Sequence, residues 1–249
     1  EIVGPVANDN ELTVSRYKAS GDHLIIWLAP EFGFRENHHS MAQMLSEQNI
    51  EVWQSNIVES LFLTQSANSL RQLDGSYIAD LVEYAHNLTG KKVILVGDSY
   101  GAINALIGAH QWQSRKQESA YLVGTILFSP YTYAYIPPLG LNPIFMPIID
   151  ATNIPIMIYQ AKGSGNINQF NNVVTRLQQH GNPVYSKFVP DIMSLFYSAT
   201  PSTLMKEHAL TLIPNIKKMI SVLERHEIPK TPMPLKPLLV SKSGIDIDL

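Results

Sequence analysis

The sequence predicts an α/β protein: a three-layer sandwich with a mostly parallel central sheet and helices on both faces. Three observations predict it. Short apolar runs recur along the chain, most of them are continuous and not alternating, and segments of helical spacing lie between them. A strand buried on both faces of a parallel sheet reads as an unbroken apolar run, whereas a half-exposed strand alternates. Strand, helix, strand, helix with short connections implies right-handed crossovers, which put helices on both faces.

The elements follow in order. Glu11 to Ala19 alternates loosely, through Leu12, Val14 and Tyr17, and is expected as an antiparallel edge strand. Leu24–Leu28, Glu51-Val52-Trp53, Val93–Val96, Leu122–Phe128, Ile154–Tyr159 and Val184–Val189 are the buried-strand candidates, with Trp27 and Trp53 as core residues. His39 to Gln48 follows the first run as a helix. Tyr77 to Leu88 carries Ile78, Leu81, Val82 and Ala85 at helical spacing and stops at Thr89-Gly90, a C-terminal signal. Tyr100 to Ser114, Gln169 to His180 and Thr203 to Arg225 continue the alternation.

Two stretches interrupt it. Residues 130–153 are rich in Pro, Tyr and Gly and read as a surface excursion or as a small cap over one end of the sheet. Tyr131, Tyr133 and Tyr135 within it are expected to pack, with ligand stacking as the alternative. From Ile228 onward, four prolines in nine residues exclude a helix and imply an extended tail. The expected organisation is one α/β domain over residues 1–227 and a Pro-rich tail or linker over 228–249. The tail's apolar end, Leu238-Leu239-Val240 and Ile245-Asp246-Ile247, is expected to dock on something.

Composition narrows the function. A net charge of −3 argues against a nucleic-acid coating protein. No apolar run approaches the ~20 residues of a membrane span. The chain has no cysteine, which removes disulfides, thiolate nucleophiles and Cys-ligated metals. There is no H-E-x-x-H, and the adjacent His38-His39 cannot share one helix face, so no metal is expected. A phosphate loop is missing, and Gly163-x-Gly165 lacks the third glycine of a dinucleotide fingerprint, so no cofactor is expected. The chain begins at Glu1, as a processed or excised chain does, and a removed export signal is one route to that start. A periplasmic or secreted location is the expectation, with a cytoplasmic one as alternative.

The most informative segment runs Lys92-Val93-Ile94-Leu95-Val96-Gly97-Asp98-Ser99-Tyr100-Gly101-Ala102, which is G-x-S-x-G between a buried strand and a helix of small residues. A serine on so sharp a turn needs glycines two positions before and after it, and the following helix N-terminus favours an anionic intermediate beneath it. Here the chain resembles the α/β-hydrolase superfamily, over roughly Leu12 to Arg225. The resemblance makes Leu24–Leu28 the third strand of that fold and Val93–Val96 the fifth. It makes Leu122–Phe128, Ile154–Tyr159 and Val184–Val189 the sixth to eighth. It implies Ser99 as nucleophile, the Tyr100 N–H as one oxyanion donor, an acid after the seventh strand and a histidine after the eighth.

The chain departs from that pattern at its other positions. The loop after the third strand reads Ala29-Pro30-Glu31-Phe32-Gly33, where Pro30 has no N–H to donate and Glu31 would repel an oxyanion if it pointed inward. The acid position offers only Asn166. The loop after the eighth strand, Pro190 to Tyr197, holds no histidine. Substitute bases are His208 and His38, with His39 beside it, and Asp191 is a candidate anchor for one of them. Glu31 is a candidate base or binding group, Phe32 beside it is a candidate oxyanion or binding residue, and Asp98 is expected to stabilise the turn or pair locally.

Two functions stay open. One is a serine hydrolase acting on an ester, thioester or amide, with a small ester-like substrate. The other is a catalytically degenerate domain that keeps the fold as a binding or interaction module. A second resemblance concerns architecture: Ser60-Leu61-Phe62-Leu63, Ser69 to Gly75 and Ser194 to Tyr197 are similar to segments of bacterial proteins that carry a hydrolase-like domain ahead of a thioredoxin-like one. It implies a C-terminal thioredoxin-like domain as partner, with the Pro-rich tail as the start of the linker to it.

Overall fold

The computed structural model describes residues 2–7, 10–115, 120–135, 143–196 and 203–238. Its strands are β1 (Ile2–Ala7), β2 (Asn10–Tyr17), β3 (His23–Leu28), β4 (Ile50–Ser55), β5 (Lys92–Asp98), β6 (Leu122–Phe128), β7 (Ile156–Ala161) and β8 (Val184–Val189). They form an eight-stranded sheet in the order β1-β2-β4-β3-β5-β6-β7-β8. β1 and β2 run antiparallel to their neighbours, and β4-β3-β5-β6-β7-β8 pair in parallel. β2 is antiparallel as its alternation implies, but it is not an edge, because β1 covers it. β1 holds Pro5, whose missing N–H is tolerated on an outer strand.

The helices are α1 (Glu36–Glu47), α2 (Ile57–Ser60), α3 (Ala67–Gln72), α4 (Gly75–Thr89), α5 (Gly101–Arg115), α6 (Ile148–Ala151), α7 (Phe170–Gln178) and α8 (Thr203–Leu223). α4 is set by local chemistry at both ends. The Asp74 side chain accepts from the Ser76 N–H, and Gly90 takes the left-handed conformation, φ 69°, that closes the helix.

The continuous apolar runs are explained by two cores, one on each face. Leu24, Ile26 and Leu28 of β3 point to the face covered by α4 and α5, with Leu81, Val82, Ala102 and Leu106. Ile25 and Trp27 point to the other, with Met41 and Leu45 of α1 and Ile216, Ile220 and Leu223 of α8. Each such side chain contributes about 1.5–3 kcal/mol relative to exposure. β8 closes the sheet and is half exposed.

The excursion after β6 packs where it is described. Tyr133 bridges to Phe145, and Ile148 and Ile149 of α6 are buried; residues 136–142 lie outside the described residues. The Pro-rich segment from Ile228 lies along α5. Its carbonyls at Pro229, Thr231 and Met233 accept from Gln113, Asn153 and His110, and Ile228 and Met233 pack on the core. Leu239, Val240 and Ile245-Asp246-Ile247 lie outside the described residues. No helix among the described residues is long and apolar enough to cross a membrane.

Candidate active site

Ser99 sits between the end of β5 and the start of α5, with φ 52°. A non-glycine residue in that region carries strain of order 1 kcal/mol, so the surroundings must hold it. Three backbone bonds do. The Ser99 N–H donates to the Phe128 carbonyl at 3.0 Å, and its own carbonyl accepts from the N–H groups of Tyr131 (3.0 Å) and Ala102 (3.3 Å). A methyl at Gly97 would lie 2.6 Å from the Ala102 nitrogen, and one at Gly101 would lie 2.9 Å from the Ala29 carbonyl. Both glycines are therefore steric requirements of the turn.

The side chain that meets Ser99 is Glu31. After β3 the chain curls in a turn closed by the Gly33 N–H on the Pro30 carbonyl (3.0 Å), with Gly33 at φ 71°. That turn points Glu31 inward, 8% exposed, and Ser99 Oγ donates to Glu31 Oε1 at 3.1 Å. Phe32, the next residue, is 59% exposed and points away from the buried pair. Tyr100 is buried beside Ser99, and among the described residues no backbone carbonyl takes its N–H. Burial pushes the Tyr100 phenol up, and the charge of Glu31 adds to it against the lowering effect of Arg71. Tyr131 is likewise pushed up by burial, then by Tyr100 and Glu31. Tyr133 is pushed up to about 12 by burial and by Tyr131 and Tyr100. The three phenols are neutral hydrogen-bonding groups at any working pH. Tyr135 stands exposed beyond them.

The other candidates stand elsewhere. His38 is fully buried, and both ring nitrogens are engaged. Nδ1 accepts from the Arg35 N–H at 2.9 Å, so Nε2 carries the proton and donates to Asp98 Oδ2 at 3.3 Å. His38 therefore has no nitrogen to offer Ser99. His39 Nδ1 is hydrogen-bonded to the Tyr17 hydroxyl at 2.9 Å. Asp191 is exposed in a left-handed turn, φ 59°, with no hydrogen bond to a histidine among the described residues. His208 lies on α8, and its side chain is outside the described residues. Asp98 braces the turn through a hydrogen bond with the Ser99 backbone and also reaches His38 under it.

In the loops after β7 and β8 the described residues include packing groups. Asn166 Nδ2 donates to the carbonyls of Ser129 (3.3 Å) and Pro130 (2.7 Å), while Oδ1 accepts from Gln160 (3.0 Å) and Ser164 (2.6 Å). This knot fixes the loop whose Tyr131 N–H holds Ser99. The loop after β8 delivers Phe196, which stacks on His38 at 4.6 Å and meets Trp27 and Phe128 edge-on. Arg71 of α3 was invisible to pattern reading, since a six-residue helix shows no period. It reaches the site through Tyr100 and Tyr133. Among the described residues no three His, Asp or Glu side chains stand together as metal ligands.

No family model and no curated sequence matches the chain. Solved structures do. A hormone-sensitive lipase from a metagenome library is similar at 13% identity and TM-score 0.62, over 90% of this chain and 84% of that one. Esterase 2 of Thermogutta terrifontis, phosphoramylated by tabun, is similar at 13% identity and TM-score 0.58, over 88% and 93%. Est1E of Butyrivibrio proteoclasticus is similar at 10% identity and TM-score 0.59, over 86% and 97%. With this strand order, the turn at Ser99 and these structural relatives, the chain has the α/β-hydrolase fold, in a divergent form.

Proposed function

We propose that this chain is a serine acyl hydrolase in which Glu31 replaces histidine as the proton acceptor. The observation that carries the reading is the 3.1 Å hydrogen bond from Ser99 Oγ to Glu31 Oε1 at a strained strand-to-helix turn. In the forward step the Ser99 proton passes to Glu31 as Oγ bonds to the substrate carbonyl carbon. The carbonyl electrons move onto oxygen, which faces the Tyr100 N–H. The intermediate then collapses, the bond to the alcohol, thiol or amine breaks, and the leaving group takes the proton from Glu31. Water releases the acyl group by the same steps in reverse order of partners.

The charge of Glu31 opposes the developing oxyanion only until it takes the proton, after which the carboxylic acid is neutral. A carboxylate is a weaker base than imidazole by roughly two pKa units, so slower acylation than in a histidine-based site is expected. The second reading, a binding domain without turnover, is favoured by the closed packing of Asn166 and Phe196 where an acid and a histidine would stand.

Labelling with a fluorophosphonate probe tests the proposal; the similar Thermogutta terrifontis esterase 2 is phosphoramylated by tabun. Wild-type protein is expected to be labelled, Ser99→Ala not at all, and Glu31→Gln at least about tenfold more slowly. A folded wild type that stays unlabelled supports the binding domain.

A further inference from the structure

We infer that Arg71 is an anion-recognition group of this site and that the acyl substrate carries a carboxylate. The inference deepens the proposed hydrolase reading, and it rests on how the arginines of the molecule are used. Arg16, Arg115 and Arg176 each pair with a carboxylate, respectively Glu51, Asp80 and Asp150. Arg35 and Arg225 stand exposed in solvent. Arg71 is half-buried, and among the described residues no carboxylate lies within 4 Å of its guanidinium. A buried cation is ordinarily matched by an anion, because taking a charge out of water is unfavourable.

Arg71 is instead held in place by neutral groups. Its Nε donates to the Tyr133 carbonyl at 2.8 Å, and its Nη2 donates to the Tyr100 hydroxyl at 3.1 Å. Its Cζ lies 4.7 Å from the centre of the Tyr100 ring. These contacts occupy two of the five N–H donors of a guanidinium, and they fix the plane of the fork. Tyr100 follows Ser99 in the chain, so one residue connects the nucleophile's turn to the fixed guanidinium. The aromatic wall of Tyr100, Tyr131 and Tyr133 excludes water beside it, which strengthens a charge-assisted hydrogen bond to a ligand.

The anion that fits is singly charged. Glu31 raises the phenols of both Tyr100 and Tyr131, so its negative field extends over the same wall. A phosphate dianion would meet twice the repulsion that a carboxylate meets. A monoester or monoamide of a short dicarboxylic acid satisfies both ends, its carboxylate on Arg71 and its acyl carbon at Ser99.

Binding can be read without turnover. In the Ser99→Ala background, monomethyl succinate and its neutral counterpart methyl butyrate are titrated by NMR, with inorganic phosphate as a third probe. The expected result is that monomethyl succinate binds at least about tenfold tighter than methyl butyrate. Arg71→Gln is expected to abolish that preference, and Arg71→Lys to restore part of it, with the unfolding midpoint of each variant confirming that it is folded. Equal binding of the two esters, a preference that survives Arg71→Gln, or phosphate binding tighter than monomethyl succinate would each overturn the inference. Selective binding in a protein that fluorophosphonate does not label keeps the anion site and removes the hydrolase reading, so the two failures are distinguishable.

Discussion

Two carboxylates are buried to the same depth at opposite strand ends of one sheet, and they are treated in opposite ways. Glu51, near the start of β4, is 1% exposed and accepts from Arg16 Nε (2.6 Å), Lys91 Nζ (2.7 Å) and Trp53 Nε1 (2.8 Å). Burial alone would push its carboxyl up, but the hydrogen bonds from Lys91, Trp53 and Arg16 outweigh that and hold it below the usual range. Asp98, at the end of β5, is 2% exposed and has His38 as its partner among aromatic rings. Burial dominates there, and the carboxyl is raised despite His38. The strand end away from Ser99 is thus neutralised by cations that stabilise the fold. At the strand end beside Ser99, burial dominates over the partner that Asp98 has.

The largest effect that tests this contrast is expected at Glu51. Glu51→Gln leaves Arg16 and Lys91 beside a neutral amide, at a cost of about 3 kcal/mol, the low end for a broken buried pair because both cations keep some solvent. Urea unfolding at pH 7 measures it. The pH dependence has a defined sign. Because the folded carboxyl is held low, its contribution is fully present above the ordinary glutamate range. It is lost as pH falls through the folded value. The gap between wild type and Glu51→Gln is therefore expected to narrow on acidification below about pH 4.5. A gap that stays constant would show that Glu51 acts through packing alone.

The same contrast explains what could be read from the chain alone. The turn at Ser99 carries a local signature, since Gly97 is tight against Gly101 and Ala102 within five residues, although Gly101 is also tight against the distant Ala29 carbonyl. The doubly buried strands are legible for the same reason, since two faces leave no room for polar residues. The partners of Ser99 are not local. Glu31 is 68 positions away, and the curl at Pro30-Glu31-Gly33 decides whether it points in or out. His38 has the right residue type near the right loop, yet a backbone N–H and Asp98 claim both nitrogens. β1 and the short helices α2 and α3 escaped because four to six residues carry too little pattern.

A smaller effect is expected where the acid position is filled by an amide. Restoring a carboxylate by Asn166→Asp replaces a donor to two carbonyls with an oxygen that repels both, Ser129 O and Pro130 O. The expected cost is about 2 kcal/mol, that of a buried polar group facing like partners. Because the same loop supplies the Tyr131 N–H to Ser99, fluorophosphonate labelling is expected to fall along with stability. Faster labelling in Asn166→Asp would mean that the position still acts as a catalytic acid.

The smallest change in stability is expected at Asp98, and its sign is what matters. A raised carboxyl keeps its proton in the folded chain at pH values where the unfolded chain has released it. Folding stability therefore falls as pH rises above the ordinary aspartate range of about 4, until the raised folded value is passed. Asp98→Asn keeps an oxygen for the His38 Nε2–H and removes the titration. At pH 7 it is expected to match or exceed wild type by up to about 1 kcal/mol, the reverse of Glu51→Gln. Its advantage is expected to shrink toward pH 4 in urea unfolding measured across pH 4–8. A loss comparable to that of Glu51→Gln would mean that Asp98 is ionised against a protonated His38. The acids at the two strand ends of the sheet would then be stabilised by the same means.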